Sequence, residues 1–178
     1  SFKVIADSKI PFSVNLIIGF PGETRELIME TVSLVKKIYG YDTLTVSIFT
    51  PYRGTVLQKI AVKNGWLVKD HITVHTTSST VLKMPPPYLN RNEIDTLMKM
   101  LPLYVYFPYS MWEDIQLAEQ NNENGKKLFN KYSKIYKDNF LQGTQDDKKI
   151  FYADNINKSP LRAKNPNVSS NKLIYKST

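Results

Sequence analysis

Ser13 to Ile18 (Ser-Val-Asn-Leu-Ile-Ile) is a short, nearly continuous apolar run. It stops at Gly19-Phe20-Pro21-Gly22-Glu23-Thr24, a turn by composition. Such a run suits a parallel strand buried on both faces. Beyond the turn, Leu27, Ile28, Thr31, Leu34, Val35 and Ile38 recur at helical spacing and predict an amphipathic helix from Thr24 to Ile38. Gly40 follows where a C-terminal cap belongs. Strand, glycine turn and helix in that order allow few folds.

The order then recurs. Thr43 to Phe49 reads as a second strand, with Leu44, Val46 and Ile48 on one face and Thr45, Ser47 and Phe49 on the other. The turn Thr50-Pro51-Tyr52-Arg53-Gly54-Thr55 leads into a predicted helix from Val56 to Asn64, closed by Gly65. Strand, helix, strand, helix implies parallel strands joined by right-handed crossovers, an α/β arrangement. Two such units do not close a sheet, so the remaining strands are expected upstream. The chain opens without an initiator Met, in what reads as the end of a helix over residues 1–10. That leads one to expect a fragment or a processed chain.

Residues 66–84 are poorly periodic, and Pro85-Pro86-Pro87 reads as an extended spacer. Asn90 with Glu93 forms a capping-box pattern that opens a helix, which Pro102 is expected to end or kink. Leu103 to Phe107 reads as a short aromatic run, and Tyr104, Tyr106 and Phe107 as a core seam rather than ligand contacts. Ser110 and Glu113 form a second capping-box pattern, opening a helix to about Glu119. Asn121 to Gly125 reads as a break. Leu128, Phe129, Tyr132, Ile135, Tyr136 and Phe140 mark a last amphipathic helix. Residues 142–178 turn polar and are expected to be disordered.

Composition removes several classes of function. The chain of 178 residues has no cysteine, so it holds no disulfide and supplies no thiolate to zinc or to an iron–sulfur cluster. This fits a cytoplasmic setting. No apolar run reaches the length of about 18 residues that crosses a membrane, and no signal-peptide pattern opens the chain. The net charge of +8 comes from lysines scattered along a sequence rich in Lys, Asn, Ile and Tyr. That pattern argues for compositional bias and against a nucleic-acid partner. His71 and His75 have the spacing of a helical metal pair, but Ile72-Thr73-Val74 between them disfavours a helix. Asp146 and Asp147 read as solvated. No nucleophile elbow, phosphate loop or zinc signature is present.

The chemistry therefore concentrates at the glycine turn. Glycine lets a ligand approach the backbone, and a helix start offers unpaired amide donors. In α/β barrels ligands bind at this C-terminal rim of the strands. A plain βα turn, with Gly and Pro serving geometry alone, accounts for the motif in isolation equally well.

Leu16-Ile17-Ile18-Gly19-Phe20-Pro21-Gly22-Glu23-Thr24 resembles the "IIGFPGET" segment of radical S-adenosylmethionine (SAM) enzymes. Ser47-Ile48-Phe49-Thr50-Pro51-Tyr52-Arg53-Gly54-Thr55-Val56-Leu57 resembles the "TPYPGT-x-L" turn that follows one strand later, with Arg53 replacing a proline. Ala61, Lys63, Asn64, Gly65, Trp66 and Leu67 continue the match. Relative to the looser superfamily pattern, Asn15 replaces a glycine and Glu23 falls one residue late. Leu82-Lys83-Met84-Pro85-Pro86-Pro87, Leu101 to Pro108, Trp112-Glu113-Asp114-Ile115 and Ala118-Glu119 resemble a C-terminal extension of members that carry an N-terminal cobalamin-binding domain.

The resemblance implies the last two βα units of a partial (βα)6 barrel over residues 1–67. A mostly helical extension over 68–141 and a tail over 142–178 would follow. It implies a SAM pocket to which Ile17, Gly19, Phe20, Pro21, Gly22, Glu23, Thr50, Pro51 and Tyr52 contribute, with Ile17 touching the adenine and Gly19 giving it room. It implies a [4Fe–4S] cluster held by cysteines upstream of this chain, at which SAM is reductively cleaved. It leaves cobalamin open as a further cofactor, also outside the chain. On this reading the chain alone is inactive, and its partners are the upstream part of the same polypeptide and a small-molecule substrate that the sequence does not name. The alternative is a degenerate scaffold or binding protein that retains only part of the barrel.

Overall fold

In a computed structural model the described residues are 2–8, 10–73 and 79–141. The tail 142–178 and His75 lie outside them. The elements run α1 (Phe2–Asp7), β1 (Ser13–Ile18), α2 (Arg25–Val35), β2 (Thr43–Ile48), α3 (Val56–Lys63), α4 (Arg91–Tyr106), α5 (Trp112–Ala118) and α6 (Glu123–Tyr136). A 3₁₀ turn over Tyr109–Met111 precedes α5, and a π turn over Lys137–Leu141 follows α6.

β1 and β2 pair in parallel, with Ser13 opposite Thr43, Asn15 opposite Thr45 and Ile17 opposite Ser47. Each strand ends where the turn residues begin, so the sequence places both boundaries well. The burial differs from expectation. β1 alternates, with Val14, Leu16 and Ile18 buried and Ser13, Asn15 and Ile17 exposed. A strand covered on both faces would bury Ile17 too. Among the described residues helices cover one face, and the polar residues at alternate positions mark the other.

The covered face lies under α2 and α4. α2 turns Ile28, Val32 and Val35 inward, spaced four and three residues apart as an amphipathic stripe requires. α4 opens with the expected capping box: the Asn90 side chain accepts from the Glu93 N–H, and the Glu93 carboxylate accepts from the Asn90 N–H. Pro102 does not end α4, which continues to Tyr106. Proline inside a helix costs about 3 kcal/mol. The four residues after it, Leu103, Tyr104, Val105 and Tyr106, are all buried. At about 1.5–3 kcal/mol per buried side chain, their burial outweighs the proline.

Two further expectations are corrected. Ser110 caps no helix: it lies in the 3₁₀ turn, and α5 starts at Trp112 with no side-chain cap. The Trp112 indole N–H instead donates to the Tyr104 carbonyl at 3.1 Å, so tertiary packing fixes the start of α5. The break at Asn121 to Gly125 is short. Asn122 caps α6 by accepting from the Gly125 N–H at 2.8 Å, and Gly125 is helical. Gly125 is required there because a Cβ would lie 2.1 Å from the Gln120 carbonyl oxygen.

One large core joins the covered face of the sheet to α2, α4, α5 and α6, with Tyr41, Tyr104, Tyr106, Phe107 and Phe140 among its aromatic members. A smaller cluster holds Phe49, Ala61, Leu67, Leu82 and Met84, with Phe20, Trp66 and Tyr88 against it. This second cluster seats α3 and the proline-rich segment beside the ends of the strands.

Candidate functional site at the C-terminal ends of the strands

Parallel pairing carries both glycine turns to the same end of the sheet. The Phe49 N–H donates to the Ile18 carbonyl at 2.8 Å, extending the ladder into the turns, and the rings of Phe20 and Phe49 meet at 5.0 Å. The segment Gly19 to Glu23 and the segment Thr50 to Tyr52 are thus neighbours.

The first turn is closed by its own carboxylate. Glu23 Oε2 accepts from the Gly19 N–H at 2.6 Å and from the Phe20 N–H at 3.2 Å. The Gly22 N–H points to Met84 Sδ at 3.3 Å, and the Glu23 N–H donates to the Phe20 carbonyl at 3.0 Å. Burial raises the Glu23 pKa above the ordinary carboxylate value, partly offset by the two amide donors. The amides of Gly19, Phe20, Gly22 and Glu23 are therefore occupied, whereas the start of α2 at Arg25 has no side-chain cap. This turn presents shape and apolar surface, not an anion hole.

Gly19 and Gly22 have φ of +82° and +83°, the left-handed region that side chains disfavour. At Gly19 an added Cβ would meet Ile94 Cδ1 at 3.5 Å and Ile48 Cγ2 at 3.9 Å. These are ordinary contact distances, so the positive φ rather than crowding calls for glycine here. Gly19 and Pro51 are buried, while Phe20, Pro21, Gly22 and Glu23 are half-buried. Ile17 and Tyr52, at 49% and 45% exposure, present the most side chain to solvent. The Pro51 carbonyl accepts from the Thr73 hydroxyl at 2.6 Å, and the Tyr52 carbonyl from the Thr55 hydroxyl at 2.8 Å. The Thr50 hydroxyl donates to the Ile48 carbonyl at 3.5 Å.

Sequence reasoning missed the surface that Ile17 belongs to. Ile17 and Ser47 form the row nearest the turns, Asn15 and Thr45 the next, and Ser13 and Thr43 the last. Thr43 and Ser13 satisfy each other through a 2.7 Å hydroxyl–hydroxyl bond. The result is an open, uncharged polar face with one apolar residue at its rim. Its signal was the period of two along each strand, hidden in β1 by Ile17.

A second missed feature ties the turn to α5. Arg25, the first residue of α2, donates to both Glu119 oxygens at 3.0 and 2.6 Å, and the Tyr104 hydroxyl also donates to Glu119. Burial, and then the hydrogen bond to Glu119, raise the Tyr104 pKa. His71 lies in a non-helical loop, and no group of three or more His, Cys, Asp or Glu is placed to hold a metal among the described residues.

No family model matches the chain, and no solved structure matches it. Curated relatives do. An uncharacterized methyltransferase of Pyrococcus horikoshii is 32% identical over 102 residues, 57% of this chain and 22% of the relative. A probable threonylcarbamoyladenosine tRNA methylthiotransferase of the same organism is 39% identical over 56 residues, 32% of this chain and 13% of the relative. A tRNA-2-methylthio-N(6)-dimethylallyladenosine synthase of Thermotoga petrophila is 44% identical over 55 residues, 29% of this chain and 12% of the relative. The chain thus has partial homology to enzymes that transfer methyl or methylthio groups, and it spans less than a quarter of each. No helix among the described residues is long and apolar enough to cross a membrane.

Proposed function

We propose that the chain is the C-terminal portion of a radical SAM enzyme and that its strand ends form part of the SAM pocket. The supporting observation is the side-by-side placement of the two glycine turns above an open sheet face rimmed by Ile17. The similarity to enzymes named for methyl and methylthio transfer favours the same reaction class.

The residues fit SAM through contact rather than charge. Ile17 gives a planar base an apolar wall, and Glu23, by holding the Gly19 and Phe20 amides, keeps the rim in one shape. Asn15, Thr45 and Ser47 line the face below, where a substrate would meet hydrogen-bonding groups without net charge. SAM, when bound, supplies the group that is cleaved or transferred. The residues do not fit an iron–sulfur cluster, because the chain has no cysteine. On this reading the cluster, and any cobalamin, belong to a different part of the polypeptide.

Ile17→Ala is the informative variant. It shortens an exposed side chain and asks nothing of the backbone. Gly19→Val would strain a positive φ and press on Ile94. In the intact polypeptide, reconstituted anaerobically with iron and sulfide, Ile17→Ala should weaken SAM binding about tenfold by calorimetry, or about 1.4 kcal/mol. Lys63→Ala, on the exposed side of α3, should leave affinity unchanged. Wild-type affinity in Ile17→Ala, with the fold intact, removes this rim from the site. An intact protein that stays colourless after reconstitution removes the enzyme class.

A further inference from the structure

Lysines that look scattered in the sequence gather on one face of α6. The helix carries Lys126, Lys127, Lys131 and Lys134 against one carboxylate, Glu123. At about 100° per residue the four fall within about 140° of arc. All four are exposed. The opposite arc, Leu128, Phe129, Tyr132, Ile135 and Tyr136, packs on the core.

This arrangement weakens the helix that carries it. Lys127 and Lys131, four apart, and Lys131 and Lys134, three apart, set like charges side by side. Lys126 and Lys127 also stand near the N-terminal end, where the helix dipole disfavours cations. Internal partners offset little. Lys126 lies 3.5 Å from Glu123 with both side chains well exposed, and Lys131 sits over the Tyr132 ring at 5.0 Å. Lys127 and Lys134 have no such partner among the described residues. Lys99 of α4 shares an open recess with Lys126, where Arg25, Lys99 and Lys126 stand against Glu93, Asp95 and Glu119. Of these carboxylates Glu119 is paired with Arg25, while Glu93 and Asp95 bond to neutral groups, the Asn90 amide and the Ser79 hydroxyl, so the recess is balanced and the positive surface is that of α6 itself.

We propose that this face of α6 binds the phosphate backbone of an RNA substrate. A row of ammonium groups that outnumbers the carboxylates beside it, Glu123 and Asp138, complements a polyanion. A lipid surface fits poorly, since a membrane-surface helix inserts its apolar face and here that face is in the core. RNA is favoured over DNA because two of the relatives described above are named for acting on tRNA. The proposal gives the SAM reading a substrate class. Its test needs neither cofactor nor turnover, so the two readings fail separately.

The test uses the 178-residue chain and a fluorescently labelled, folded tRNA, with anisotropy measured from 50 to 200 mM salt. Four phosphate contacts predict a log–log salt slope of about 3. The triple variant Lys127→Glu, Lys131→Glu, Lys134→Glu should lose at least about tenfold in affinity, and the slope should fall by about 2 to 3. The charge-matched triple Lys59→Glu, Lys63→Glu, Lys69→Glu, on exposed positions in and after α3, should stay within about threefold. Circular dichroism checks that α6 survives. If it does not, the Lys→Gln triple at the same three positions gives the same readout with helix propensity kept. Equal losses in both triples, no tRNA binding by the wild type, or equal affinity for phosphatidylserine vesicles or duplex DNA would each overturn the proposal.

Discussion

Glu23, Gly125 and Lys36 show how single positions take their roles from the groups around them, close in sequence for the first two and distant for the third. Glu23 fills the amides of its own turn. Gly125 reads as a loop glycine, yet it lies inside a helix because the Gln120 carbonyl approaches it. Helix propensity alone favours alanine there by about 1 kcal/mol. A Cβ placed 2.1 Å from a backbone oxygen forces a shift that costs about 1–3 kcal/mol. Gly125→Ala should therefore destabilise the chain, read as a lower midpoint in urea. A higher midpoint would mean that the α5–α6 corner relaxes freely.

Lys36 is buried and donates to three carbonyls at the end of α4: Tyr104 at 3.3 Å, Val105 at 2.9 Å and Phe107 at 2.6 Å. Burial pulls its pKa down to about 8 from 10.5. Because the folded value is the lower one, the unfolded chain holds the proton more tightly between the two. The contribution of Lys36 to stability is thus complete above about 10.5 and lost as pH falls through about 8. Stability should rise from about pH 8 to about pH 9, below the range where tyrosines ionise. Lys36→Met should flatten that rise in urea melts taken at each pH. An unchanged slope in the variant would place the titrating group elsewhere.

Among the elements, those set by local chemistry were legible and those set by packing were not. β1, β2 and α3 start and stop where Gly, Pro and alternating residues say they should, and α4 opens at the Asn90–Glu93 box. Pro102 and Ser110 mislead because their local preferences are overridden, by the burial of Leu103 to Tyr106 and by Trp112 reaching the Tyr104 carbonyl. The candidate site divides the same way. The glycine turns stand out in sequence, while the open polar face needs the strand register. The Arg25–Glu119–Tyr104 group joins α2, α4 and α5 across 94 residues and leaves no sequence signal. It makes a prediction at this scale. Glu119→Ala leaves the Tyr104 hydroxyl and the Arg25 guanidinium without their acceptor, and should cost about 1–3 kcal/mol. Urea denaturation with an unchanged slope checks it. A midpoint equal to wild type would show that solvent replaces the carboxylate.

Across the whole molecule, α4 lies over the covered face of the sheet, and both contribute to one core. The ribosome delivers them in the opposite order from the one folding needs. Ile18 and Ile48 leave the exit tunnel well before Leu101 and Tyr104, which are on the order of 85 residues beyond Ile18. At roughly 5–20 residues per second that is a wait of about 4 to 17 seconds. During it the core face of β1 and β2 has α2 over it but lacks α4, so part of its apolar surface stays exposed. Nascent chains stalled before α4 should accordingly recruit chaperones through Val14, Leu16 and Ile18, and chains released after α6 should not. Synthesis slowed between Gly65 and Asn90 lengthens that exposure.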